Sequence, residues 1–216
     1  MLELFTSEGC SSCPPADNLL PQLAKLDSNV IPLSFHVDYW NRLGWTDPFS
    51  SSDYTQRQKE YVKQFNLESA YTPQLVVNGE YELVGSNRAD AESSVRKALQ
   101  EKTPVKLGIS NVQIGKDEIH FTVNTDGEIN KTNLLAALVQ KKAVMNVKAG
   151  ENSGTTLSHI NVVRSFAMQK ADKQNQFEIN LPKNISADNW QLIIYAQQQN
   201  NFKITGALVY LPGMRN

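Results

Sequence analysis

Leu2-Glu3-Leu4-Phe5-Thr6-Ser7-Glu8-Gly9-Cys10-Ser11-Ser12-Cys13-Pro14-Pro15-Ala16 is the stretch on which the reading of this chain turns. The apolar run from Leu2 to Thr6 stops at Ser7-Glu8-Gly9, the pattern of a buried strand ending in a turn. Two cysteines follow at once. Pro14 and Pro15 have no amide hydrogen and fit only the first turn of a helix, so a helix is expected to start at or just after Cys13. Ala16, Leu19, Leu20, Leu23 and Leu26 recur at helical spacing and give it an apolar face, with Pro21 expected to kink or interrupt it. The unit is strand, cysteine loop, helix.

Working outward, residues 30–37 are mostly apolar and suit a strand covered on both faces, with Pro32 near its edge or start. A helix separates this strand from the first, which predicts a parallel pair joined by a right-handed crossover. Cys10 is then expected beside Asp38-Tyr39-Trp40, where the strand ends meet. Residues 41–52 are aromatic and turn-rich, and Ser52 or Asp53 can cap a helix running to Phe65. Asn78-Gly79 between residues 74–77 and 81–84 signals a hairpin, and Asn87 caps a helix through Leu99. The order β-α-β-α-β-β-α predicts an α/β domain over residues 1–101. Glu101-Lys102-Thr103-Pro104 reads as a linker. Beyond it the pattern changes to strands at residues 119–123, 134–139, 144–147, 162–168, 177–181, 192–196 and 204–211. These predict an all-β antiparallel sandwich over residues 105–216.

The 216 residues fit two domains, and a formal charge of −1 with scattered basic residues lacks the electrostatic footprint of a nucleic-acid binder. No apolar run reaches the roughly 20 residues of a membrane-spanning helix. The chain has two cysteines, and both lie in Cys10-Ser11-Ser12-Cys13. The motif suits a redox couple, a structural disulfide or half of a zinc site; no further Cys or His cluster in the sequence completes a metal centre. In the redox reading Cys10, at the helix N-terminus and exposed, is the nucleophile, activated by unpaired amides and the helix dipole. Cys13, one turn further in and less exposed, resolves the mixed disulfide.

Pro73 starts a strand and has two readings, an ordinary trans proline or a cis bond that turns the Thr72 backbone toward an extended substrate. Trp40, Trp45 and Phe49 either line a groove for an unfolded chain or pack the long insertion. Glu151, Asn152, His159, Asn161 and Arg164 suit an anion site, a contact docking onto the first domain, or a hydrogen-bonded loop.

The runs Cys10-Ser11-Ser12-Cys13, Phe35-His36-Val37-Asp38, Tyr71-Thr72-Pro73-Gln74 and Asn78-Gly79-Glu80 resemble a thioredoxin fold without its first strand and helix. Glu3-Leu4-Phe5-Thr6-Ser7, Ser34-Phe35-His36-Val37-Asp38-Tyr39-Trp40, Gly150-Glu151-Asn152 and His159-Ile160-Asn161-Val162-Val163-Arg164 resemble a bacterial secreted family, domain of unknown function 1223. The resemblance covers essentially the whole chain. It implies a periplasmic or secreted location and a cis Thr72-Pro73 bond facing the cysteines. The residues expected to meet substrate are Thr72 and Pro73 with Asp38, Trp40 and Trp45 beside the cysteines. Leu4 stands where thioredoxins carry a buried acid, and Glu3 and Asp38 are the candidates to replace it. The expected activity is that of a cofactor-free thiol-disulfide oxidoreductase or isomerase acting on protein or peptide disulfides. Two alternatives stand beside it: a copper-handling protein using both thiolates, with His36 as a candidate third ligand, and a binding protein whose cysteines form an inert clasp.

Overall fold

The computed structural model describes residues 1–213. Strands dominate it. The first half holds β1 (Leu2–Thr6), α1 (Pro14–Leu23), β2 (Pro32–His36), α2 (Ser52–Gln64), β3 (Gln74–Val77), β4 (Tyr81–Val84) and α3 (Arg88–Leu99). The second half holds β5 (Lys106–Ile114), β6 (Glu118–Asp126), β7 (Thr132–Asn146), β8 (Thr156–Lys170), β9 (Gln174–Asn180), β10 (Trp190–Gln198) and β11 (Ile204–Tyr210).

The expected architecture, a thioredoxin-like α/β domain followed by a β-sandwich, is not what forms. One mixed eight-stranded sheet runs in the order β11-β10-β7-β8-β2-β1-β3-β4, and β5-β6-β9 make a separate three-stranded sheet. Residues 134–139 and 144–147, read as separate strands, are parts of β7, and β7 and β8 are long enough to change company along their length. The chain divides into two compact units, residues 1–101 with 142–162, and residues 102–141 with 163–216. Lys142–Val162 therefore leaves the expected 105–216 domain and joins the first unit.

In the first unit β1 pairs in parallel with β2 and antiparallel with β3, and Ser34 on β2 pairs in parallel with Val162 on β8. Side chains alternate along β1 with period two. Leu2 and Leu4 join Leu19, Leu20 and Leu23 of α1 and Ala91 and Val95 of α3 in one buried cluster. Phe5 turns the other way and stacks on Phe35 at 5.5 Å, with Tyr61 of α2 edge-on at 5.9 Å. Pro21 is accommodated inside α1, which stops at Leu23 and leaves Leu26, expected on the apolar face, 39% exposed. Ser51, one residue before the expected cap, closes the start of α2 by accepting from the Asp53 amide, and Asn87 caps α3 through the Asp90 amide.

The second unit buries Val105, Ile119, Phe121, Val123, Leu134, Ala136, Leu138, Phe177, Trp190, Leu192 and Ile194 in one apolar cluster. Gly206 is required there, since a Cβ would lie 2.3 Å from the Val105 carbonyl oxygen. Arg164 bonds Gln140 and Asn184 inside this unit.

Candidate functional site

Cys10 and Cys13 are joined by a disulfide, with Cα atoms 5.4 Å apart. The Ser7 carbonyl accepts the Cys10 amide and the Cys10 carbonyl accepts the Cys13 amide, so the loop is a succession of tight turns leading into α1 with Cys13 as its N-cap. Pro14 and Pro15 occupy the first two helical positions and supply no N–H. The helix end therefore offers Cys10 fewer amides than the sequence reading assumed, and hydroxyls stand in their place. The Thr72 Oγ1 donates to Cys10 Sγ at 3.2 Å, and Ser12 Oγ lies 3.4 Å from the same sulfur. Ser12 also donates to the Thr72 carbonyl at 3.3 Å. The expected difference in exposure is absent: in the disulfide form both cysteines are 0% exposed, while Ser11 and Ser12 between them face solvent.

The Thr72-Pro73 peptide bond is cis. Trp40 reaches this corner, its Nε1 donating to Thr72 Oγ1 at 2.8 Å. Asp38 is held apart by Thr55, whose hydroxyl donates to Asp38 Oδ1 at 2.6 Å. Trp45 donates through Nε1 to Glu8 Oε2 at 2.7 Å. Among the candidates named for substrate, Thr72 contacts the Cys10 sulfur directly, Trp40 acts through Thr72, and Trp45 and Asp38 serve other partners.

The polar motif of residues 150–152 is the part whose role sequence reasoning left most open. Its hairpin brings Asn152 onto the cysteine loop, where Nδ2 donates to the carbonyls of Glu8 at 2.8 Å and Cys10 at 2.9 Å. Glu151, although exposed, accepts the Ser11 amide at 3.0 Å. These hydrogen bonds to Ser11 hold the Glu151 carboxyl below its ordinary value. Gly150 takes a φ of 78°, a conformation open to glycine, and an added Cβ there would lie 3.4 Å from Trp45. The motif is a clamp on the backbone of the loop that carries the disulfide.

Behind the loop lies a buried polar cluster that the sequence did not announce. His36 Nδ1 and Asp47 Oδ2 are 2.7 Å apart, both side chains wholly buried, and the Glu8 amide donates to the same Asp47 oxygen at 2.9 Å. Burial alone would lower the His36 imidazole, but the charge and hydrogen bond of Asp47 outweigh it and raise it above its ordinary value. For Asp47, burial works upward and is overcome by His36 and by the amides of Glu8 and Phe49, which hold it low. The Glu8 carboxyl is raised, first by burial and then by the charge of Asp47. The His159 ring meets His36 edge-on at 4.7 Å. Its Nδ1 is 3.4 Å from Asp17 Oδ1 and its Nε2 3.8 Å from Glu8 Oε1. Those four atoms and His36 Nε2 are buried without a hydrogen-bond partner among the described residues.

Glu3, a candidate for the missing buried acid, is engaged elsewhere. Arg57 Nε donates to Glu3 Oε1 at 2.8 Å, and the Tyr61 hydroxyl donates to Oε2. The period-two alternation of β1 that sends Leu4 toward α1 sends Glu3 toward α2. Asp17 was readable as a helix residue one turn after Cys13, but its partner His159 lies far along the chain, and nothing local links them.

No helix among the described residues is long and apolar enough to cross a membrane. No curated protein matches the chain. Among solved structures it is similar to a crystal structure of a protein from Agrobacterium tumefaciens, with 26% identity and a TM-score of 0.71, covering 100% of this chain and 95% of that one. A domain of the outer membrane lipoprotein Omp28 from Porphyromonas gingivalis matches at 11% identity and a TM-score of 0.32, over 50% of this chain and 88% of that one. The family described as protein of unknown function, DUF1223, matches over residues 1–197, and the chain belongs to that family.

Proposed function

We propose that the chain is a thiol-disulfide oxidoreductase or isomerase that exchanges the Cys10–Cys13 disulfide with disulfides or thiols of proteins or peptides, in an oxidising compartment such as the periplasm. The observation that carries this reading is the Thr72 hydroxyl, which donates to the sulfur of Cys10 at 3.2 Å, with the Ser12 hydroxyl 3.4 Å from the same sulfur. Hydrogen bonds to the charged form stabilise a thiolate, and a thiolate is the attacking species and the better leaving group in exchange. Among the described residues no hydroxyl donates to the Cys13 sulfur, and Cys13 takes the resolving role. A structural clasp has no use for a donor on one sulfur.

The test is equilibration of the Cys10–Cys13 couple against glutathione buffers, with and without Cu(I). The expected result is a defined potential within the range of catalytic disulfides, above that of inert structural ones at about −300 mV. A couple that stays oxidised in every buffer would leave the clasp reading. Tight Cu(I) binding by the reduced form would transfer the assignment to metal handling.

A further inference from the structure

We propose that Asp17, His159 and Glu8 form a buried proton relay that serves the Cys13 thiol, an inference that rests on the thiol-disulfide reading above. Cys13 is wholly buried, and a thiol in such surroundings resists ionisation unless an acceptor stands near. Asp17 follows it by one helical turn, the Asp17 amide donating to the Cys13 carbonyl at 3.1 Å. Residues so spaced share a face, with Cβ atoms ~5–6 Å apart. The Asp17 carboxylate is tethered at Oδ2 by the Thr6 hydroxyl at 3.1 Å, which leaves Oδ1 directed to His159 Nδ1 at 3.4 Å. On the far side of the ring Nε2 looks to Glu8 Oε1 at 3.8 Å, and Glu8 Oε2 leads out to the half-buried Trp45.

An imidazole with a carboxylate off each nitrogen can accept a proton on one side and release one on the other. Buried polar groups are ordinarily paired, because each bare one costs ~1–3 kcal/mol. His36 and Asp47, the other titratable groups facing Glu8 and Asp17, do form such a pair.

Cys10 thiolate attacks a disulfide R–S–S–R, forms Cys10–S–S–R and expels one thiolate. Cys13 gives its proton to Asp17, and the new thiolate attacks Cys10 Sγ. That breaks the mixed disulfide, expels the second thiolate and closes Cys10–Cys13. The dithiol loses two electrons to the substrate disulfide; the proton passes from Asp17 through His159 to Glu8 and is released to solvent, from which the departing thiolate takes up its own.

The experiment is a stoichiometric reaction of the reduced protein with dithiobis(nitrobenzoic acid), which releases one coloured thiolate on attack and a second on resolution. In Asp17→Asn and His159→Gln the first phase should keep its wild-type rate while the second slows about 100-fold, the scale of general acid–base catalysis. Second phases matching wild type would overturn the relay. The wild-type pH profile tests it without any variant: resolution should stay fast well below the ordinary thiol value of about 8.5. A profile that follows a plain thiol titration would overturn the relay even if neither variant folds. A wild-type protein with no first phase would remove the redox reading itself, and the relay with it.

Discussion

Glu3 and Glu8, carried by the same strand and the turn that follows it, are both wholly buried and are treated in opposite ways. Glu3 meets Arg57 at 2.7 Å and the Tyr61 hydroxyl, and the Arg57 guanidinium lies over the rings of Phe35 and Tyr61. Glu8 has a hydrogen bond on one oxygen and, among the described residues, none on the other, with Asp47 near enough to disfavour its charge. The first arrangement fixes a helix on a sheet. The second sits behind a disulfide and keeps its protons negotiable. Burial of an acid therefore says little until its partners are counted: a paired acid is architecture, and an unpaired one beside a reactive group is chemistry.

The comparison breaks first at Arg57. Arg57→Met strands the Glu3 charge and should cost about 3–5 kcal/mol in urea unfolding, while Glu3→Leu combined with Arg57→Met should return close to wild type. Neither should alter the Cys10–Cys13 potential. A shift in that potential would mean that the two acid sites are coupled.

His36→Gln should cost less, about 2 kcal/mol, because Asp47 keeps the amides of Glu8 and Phe49. Its effect should depend on pH with a definite sign. The His36 contribution is complete below the ordinary imidazole value of 6.5 and fades as pH rises through the higher folded value. The Asp47 contribution is present above 3.8 and is lost as pH falls through its lower folded value. Unfolding curves should therefore separate variant from wild type most between about pH 4 and 6.5 and converge at alkaline pH. A difference independent of pH would refute the charged pair.

Asn152→Ala removes two donors from the cysteine loop and should cost about 1 kcal/mol. The disulfide should then be reduced faster by dithiothreitol, since the loop backbone is freed. An unchanged reduction rate would show that the clamp does not control access. The smallest effect belongs to Glu8→Gln, and it should be a gain. The raised Glu8 carboxyl favours folding below its ordinary 4.5, and that support is lost as pH rises through the folded value. The variant should match wild type at pH 4 and exceed it by under ~1 kcal/mol at pH 8, while its resolution step slows.

Much of this was legible along the chain. The prolines after Cys13 placed α1, Asn78-Gly79 placed the β3–β4 hairpin, and Asn87 placed the start of α3, because each acts through its own backbone and neighbours. The strand boundaries of the second half were less legible. Residues 134–147 contain Gln140, Lys141 and Lys142, a polar interruption that reads as a turn but is a stretch of one continuous strand.

What the sequence determined by itself was the chemistry at hand: two cysteines in one motif, the helix behind them, and the hydroxyl and amide residues of the recurring phrases. Tertiary structure decided which of these meet. It assigned residues 142–162 to the first unit, brought Asn152 onto Cys10 and His159 between Glu8 and Asp17, gave Glu3 to Arg57, and kept Arg164 for Gln140. Local signals reach one turn or one hairpin, whereas a polar side chain buried in a sheet is partnered by whichever strand or helix the chain later lays against it.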